Sequence, residues 1–312
     1  GTLEKANSST LTLSGTNTYS GDTTISAGII AISDADALGN DSGTRGTTTV
    51  DSGAALYISG EITVAEPINI SGTGVSSGGA IRFTANNNTY SGAITLGATS
   101  SIVSNSGQQE ISGTINGSND NTEALTITAN DNLTISGVVG GIAAKQPSTL
   151  DITTTGTGVL TLSNDITTDN DQTYTAAGGV LLGANVTLTA TSSDILFSGT
   201  ASTVDSTGST RTLTVSANEI EFDGAVGGNA ALGAIGITGA LDLDADITSA
   251  SSLSVSTTSN LGADVTTSGT QQYDGAVTLS ADVILTTTNN NATFGSTIDS
   301  DGTARDLTLT LG

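Results

Sequence analysis

Residues 9–30 read Ser9-Thr-Leu-Thr-Leu-Ser-Gly-Thr-Asn-Thr-Tyr-Ser-Gly-Asp-Thr-Thr-Ile-Ser-Ala-Gly-Ile-Ile30. Leu11-Thr12-Leu13 runs apolar, polar, apolar. That is the period-two pattern of a strand with one buried face. Thr and Ile are branched at Cβ and favour extended backbone over helix. Ser, Gly and Asn around them are turn formers. Working outward, the triplet recurs as Leu56-Tyr57-Ile58, Ile81-Arg82-Phe83, Ile94-Thr95-Leu96, Leu125-Thr126-Ile127, Leu160-Thr161-Leu162, Leu213-Thr214-Val215 and Val277-Thr278-Leu279. A disordered Ser/Thr/Asn linker would not keep such intervals, and no helical stripe of useful length interrupts them. The chain reads as folded and all-β.

A longer period lies over the triplets. Tyr19, Tyr90 and Tyr273 each open a Tyr-Ser/Asp-Gly turn into an apolar strand, and Tyr174 opens a looser version. The segment Ala124–Asp131 returns as Thr212–Glu219, and a third start begins at Asp306. These echoes predict one continuous solenoid over 1–312 in roughly four sequence modules, about 1–87, 88–171, 172–271 and 272–312. The last is truncated within a motif, as expected of a piece of a longer chain. Tandem immunoglobulin-like β-sandwiches are the alternative. Sandwich strands are longer and pack around bulky residues such as Trp, whereas here the triplets are short and Trp is absent. Unequal module spacing also suits a solenoid, whose loops vary while its ring of strands is kept. At roughly 20–25 residues per coil the chain would make about 12–16 coils stacked ~4.8 Å apart.

Ser9–Ile30 resembles the autotransporter-associated β-strand repeat, with Ser9 where Gly is common and Ile30 where Leu is common. Weaker echoes begin at Asn88, Gln172 and Gln272, and the downstream modules look like repeats of giant exported haemagglutinin-like proteins. The resemblance implies a right-handed parallel β-helix, passage through a bacterial outer membrane, and a surface or released adhesin. It implies no catalytic residue.

Charge narrows the function further. Six Lys and Arg against thirty Asp and Glu give a net charge of −24. Nucleic-acid binding needs a basic patch to displace counterions from phosphate, so no nucleic-acid partner is expected. No run approaches the ~18 apolar residues of a membrane span. The expected partners are copies of the chain stacked end to end or the remainder of a longer chain, with surface glycans as the ligand class of an adhesin. Cys, His, Met and Trp are all absent. No Ser-His-Asp, Cys-His or His-based metal site can therefore be built. A β-helix lyase or hydrolase acting on polysaccharide is the cross-class alternative. It would need paired carboxylates or calcium beside a base, and no adjacent Asp-Asp pair occurs. No catalytic and no cofactor-binding residue is assigned.

Calcium is the one ion with candidate ligands. Asp34, Asp36 and Asp41, with Asn40, form a loop cluster, although the spacing is not that of an EF-hand. Asp242, Asp244 and Asp246 alternate with Leu241, Leu243 and Ala245, so on one strand all three would face outward together. Their ~7 Å separation is too wide to chelate one ion unaided, and a solvated face is the favoured reading. Tyr19, Tyr90, Tyr174 and Tyr273 could stack sugars. The reading preferred is structural: one ring covering the core at an equivalent corner of each module, its hydroxyl reaching water or a turn.

Overall fold

The computed structural model describes residues 1–40, 43–118 and 121–312. It is a parallel β-solenoid, its two units together making about 14 turns. All registers between named strands are parallel, and the described residues contain no α-helix, only a 3-10 turn at Val75–Ser77. Sandwiches are built from antiparallel sheets, so the immunoglobulin-like alternative falls. The chain forms two compact units, Gly1–Gly158 and Val159–Gly312.

In the first unit each coil lays down three strand segments, and equivalent residues of successive coils stand on one another. One inward column runs Ile25, Val50, Ile70, Leu96. A second runs Ile30, Leu56, Ile81, Ile102, Ile127, Ile152. A third runs Val64, Tyr90, Ile111, Ile135. Every one of these side chains is buried. Burying a Val, Leu or Ile is worth about 1.5–3 kcal/mol, so the alternating pattern is the driving force and the Thr between them faces water. Of the sequence-predicted core, Ile94, Leu96, Leu125, Ile127, Leu160, Leu162, Leu213, Val215, Val277 and Leu279 are buried. Leu11 and Leu13 are only half-buried, because their strand Leu3–Leu13 pairs on one side, with Thr23–Ile32.

The second unit repeats the scheme with different fillings. One column is Tyr174, Phe197, Phe222, Leu243, Leu261, Leu279. Its rings stack, with centroids 5.1 Å apart for Tyr174–Phe197 and 5.3 Å for Phe197–Phe222. Another is Leu188, Val215, Ile237, Val255, Tyr273, Phe294.

The coils touch most closely at one corner of the first unit. A Cβ on Gly113 would lie 1.8 Å from the carbonyl oxygen of Gly92, and one on Gly137 2.0 Å from that of Gly113. Those glycines are what let each coil sit down on the one before it.

Candidate functional site

Two sets of polar side chains stand out, one inside the fold and one on its surface.

The interior set surrounds the tyrosines. Tyr90, Tyr174 and Tyr273 are fully buried, so none offers a ring face to a sugar, and Tyr19 is half-buried. Their hydroxyls bond within the protein: Tyr90 to the Glu66 carbonyl at 2.7 Å, Tyr174 to Gln172 Oε1 at 2.7 Å, Tyr273 to Gln271 Oε1 at 3.2 Å, and Tyr19 shares a bond with Thr23 Oγ1 at 2.8 Å. Burial pushes the hydroxyls of Tyr90, Tyr174 and Tyr273 above the usual tyrosine range. Nor do the four share one position of the coil, since Tyr174 and Tyr273 lie in different columns of the second unit.

Two residues before each buried tyrosine of the second unit is a glutamine of zero exposure. Gln172 Nε2 donates to the Thr189 carbonyl at 2.8 Å and to Thr168 Oγ1 at 3.2 Å. Gln271 Nε2 repeats this with the Thr286 carbonyl at 2.9 Å and Thr267 Oγ1 at 3.3 Å. Asn88, two before Tyr90, is also buried and bonds Gln109 Oε1 of the next coil at 3.3 Å. The sequence reading takes Asn as a turn former and gives the glutamines no structural role. The signal that identifies them is the Asn or Gln at the same offset from all four tyrosines: Asn17, Asn88, Gln172 and Gln271.

The surface set is acidic. Glu221 pairs with Asp242 in register, and Asp242 with Asn260, whose Nδ2 donates to Asp242 Oδ1 at 2.8 Å. Asp223 and Asp244 follow on the same two coils, and Glu221, Asp223 and Asp244 each bring a carboxylate oxygen within 4.8 Å of the others. Partial burial, with a hydrogen bond and charge repulsion from Asp223 and repulsion from Asp242 and Asp244, pushes Glu221 up to about 7. Asp244 is raised by burial and by Asp242 and Asp223, and Glu219 by burial and by Asp242 and Asp194. Glu221 therefore takes up a proton at a higher pH than an ordinary glutamate does. Beside it lies a shallow groove of about 220 Å³ lined by Asp171, Asp194, Glu219 and Glu221.

The cation candidates from the sequence land apart. Asp242, Asp244 and Asp246 do not form one outward row, because the strand ends at Leu243 and the chain bends through Asp244. Asp244 joins Glu221 and Asp223. Asp246 Oδ1 instead accepts the backbone N–H of Asp264 at 3.0 Å. In the other cluster, Asp36 Oδ1 accepts Arg45 Nη2 at 2.5 Å and Asn40 Nδ2 at 3.0 Å, which hold its carboxyl below the usual range. Asp34 Oδ1 accepts the Asp36 N–H at 2.9 Å. These two carboxylates are spent on closing their own loop. Asp41 lies outside the described residues.

Among the described residues no helix is long and apolar enough to cross a membrane. No curated protein and no solved structure matches the chain. Residues 3–32 match the family Passenger-associated-transport-repeat, a repeat of autotransporter passenger domains. The matched residues are the paired strands Leu3–Leu13 and Thr23–Ile32, so the part of this solenoid that is similar to a passenger repeat is a strand, its turn and the strand stacked on it.

Proposed function

We propose that this chain is a segment of an extracellular structural or adhesive repeat protein, carried to the surface through a bacterial outer membrane as part of an autotransporter-like passenger. The observation that carries the reading is the passenger-repeat match over residues 3–32 on a pair of stacked strands. The interior supports it: the tyrosines, glutamines and asparagine that sequence motifs point to are buried and bonded to one another or to backbone, which suits holding coils together rather than turning over a substrate. A net charge of −24 keeps such a surface soluble and repels polyanions. Antibody labelling and protease shaving of intact cells expressing the protein test the location. Labelling without permeabilisation is expected, and a signal seen only after lysis would overturn the reading.

Its partners would be a further stretch of the same solenoid or a second copy. Ile298 and Leu309 pair with the buried Val277 and Leu285, yet are themselves 39% and 45% exposed. Electron microscopy of purified material would separate filaments from single particles. Glycan binding is the adhesive form of the proposal and is tested on a glycan array.

The carboxylate group at Glu221, Asp223 and Asp244 is the observation that favours a second reading, hydrolysis of polysaccharide. The first reading expects no release of reducing ends or unsaturated products from pectin, alginate or neutral glycans. Release that disappears in Glu221→Gln would establish the second.

A further inference from the structure

The inward column Ile25, Val50, Ile70, Leu96 reaches Gly117 in the next coil, since Leu96 and Gly117 are in register. Four apolar side chains are thus followed by a position with no side chain, and Gly117 is buried. A Cβ on Gly117 would meet Glu123 Oε2 at 2.7 Å, the Gln146 carbonyl oxygen at 3.3 Å and the Lys145 carbonyl oxygen at 3.5 Å as its nearest atoms beyond its chain neighbours, all three oxygens.

Glu123 is 4% exposed. Its Oε1 accepts Ser118 Oγ at 3.0 Å, but its Oε2 has no hydrogen-bond partner, and neither has the buried Gln146 Oε1. The described ion pairs are Arg45–Asp36 and Arg305–Asp301, so no cationic side chain pairs with Glu123 among the described residues. The frame around it is tied. Gly117 N–H donates to the Lys145 carbonyl at 2.6 Å, Ser148 N–H to the Glu123 carbonyl at 2.8 Å, and Gln146 N–H to Asn121 Oδ1 at 3.0 Å. A buried carboxylate oxygen without a donor is costly. Acceptors turned toward one small space repel one another unless something positive stands among them.

We propose that the position beside Gly117 is a calcium site, with Glu123 Oε2 and the Gln146 and Lys145 carbonyls as its protein donors. Calcium takes oxygen ligands only, accepts backbone carbonyls and carboxylates together, and tolerates irregular geometry. Magnesium demands a regular octahedron at shorter distances and gives up water reluctantly. With a single carboxylate among the described residues, affinity belongs to the weak class, roughly 10⁻⁴–10⁻³ M. The site is distinct from the acidic surface at Glu221 and does not depend on the passenger reading.

The test uses the full chain after chelation, titrated with CaCl2 by calorimetry and thermal melting, against MgCl2 and NaCl at matched ionic strength. Wild type is expected to melt a few degrees higher in ~10 mM calcium than in magnesium. Glu123→Gln should weaken calcium binding at least tenfold while melting no lower than wild type without calcium, because a buried charge is gone. Gly117→Ala, whose methyl takes the space, should also lose the calcium response. The triple variant Glu221→Gln, Asp223→Asn, Asp244→Asn should keep it. No calcium-specific shift in wild type would mean that water alone fills the space and would overturn the proposal. So would a response that survives in Glu123→Gln, or one lost in the triple surface variant.

Discussion

Glu66 sits at the corner between the strands Thr63–Val64 and Ile68–Gly72 and has zero exposure. Its Oε1 accepts Thr48 Oγ1 at a long 3.3 Å, and its Oε2 has no partner. Burial pushes its carboxyl from 4.5 up to about 7, with Asp22 adding to the rise and the Thr48 bond and Arg45 opposing it. Because the folded value lies above the unfolded one, the folded state binds the proton more tightly. The stability this gives is fully present below about 4.5 and is lost as pH rises through about 7. At ~1.4 kcal/mol per pH unit the displacement is worth at most about 3.5 kcal/mol, of which about 2 kcal/mol is expected as the difference between pH 5 and pH 8.5. Glu66→Gln keeps an acceptor for Thr48 and cannot ionise. Urea unfolding of wild type and variant at pH 5 and pH 8.5 should give equal stabilities at the lower pH and a wild type about 2 kcal/mol weaker at the higher. Glu219, Glu221 and Asp244 are also raised but are common to both proteins and cancel. Amide exchange at Thr48 and Ile68, whose N–H groups bond the Pro67 and Ala93 carbonyls, gives a local reading of the same difference. Parallel pH profiles for the two proteins would refute the reasoning.

Further outcomes follow from single contacts. Gln172→Ala removes the donors to Thr189 and Thr168 and the acceptor of Tyr174, and should cost about 3 kcal/mol in urea unfolding; Gln271→Ala should match it. Phe197→Ala empties the middle of the Tyr174–Phe197–Phe222 stack and should cost about 3–5 kcal/mol, measured as the loss in thermal stability. Gly113→Ala drives a methyl into the Gly92 carbonyl and should lower the melting temperature, whereas Gly236→Ala, with open space at its Cβ, should not. Asp223→Asn relieves the repulsion on Glu221 and should raise stability by roughly 0.5–1 kcal/mol at pH 8 but not at pH 5.

The sequence carried the strand pattern because that pattern is local. Leu125-Thr126-Ile127 or Leu160-Thr161-Leu162 needs only its own alternation to predict which side chains are buried. What stacks on what is not local. Equivalent positions in successive coils lie at variable separations, such as Leu56, Ile81, Ile102 and Ile127, because loop lengths differ. The meeting of Glu221 and Asp223 with Asp244 therefore could not be read off before the register was known. Asp242, Asp244 and Asp246 misled for a related reason: alternation continues past Leu243, but the strand does not. Glu123 and Gln146 carry no motif at all, and only the absence of a side chain at Gly117 brings them into view.

Register is also where the buried amides matter. A ladder of Leu, Ile and Val over Thr is nearly indifferent to a slip of two residues, because the same face stays inward. A column such as Leu188, Val215, Ile237, Val255 would bury comparable apolar area after such a slip. Gln172 would not survive it. Its Nε2 reaches Thr168 in its own coil and the Thr189 carbonyl in the next, and its Oε1 takes the Tyr174 hydroxyl. Displacing the neighbouring coil leaves a buried N–H unpaired, at about 1–3 kcal/mol for each group orphaned. Gln271 repeats the arrangement about a hundred residues later against Thr286, and Asn88 with Gln109 does so in the first unit. Where each coil touches only its neighbours, a few such checkpoints are enough to fix the stack within a unit, since every coil between two of them inherits its register. The Asn or Gln before each tyrosine is thus the part of the repeat that specifies alignment, while the Leu and Ile of the triplets supply the cohesion.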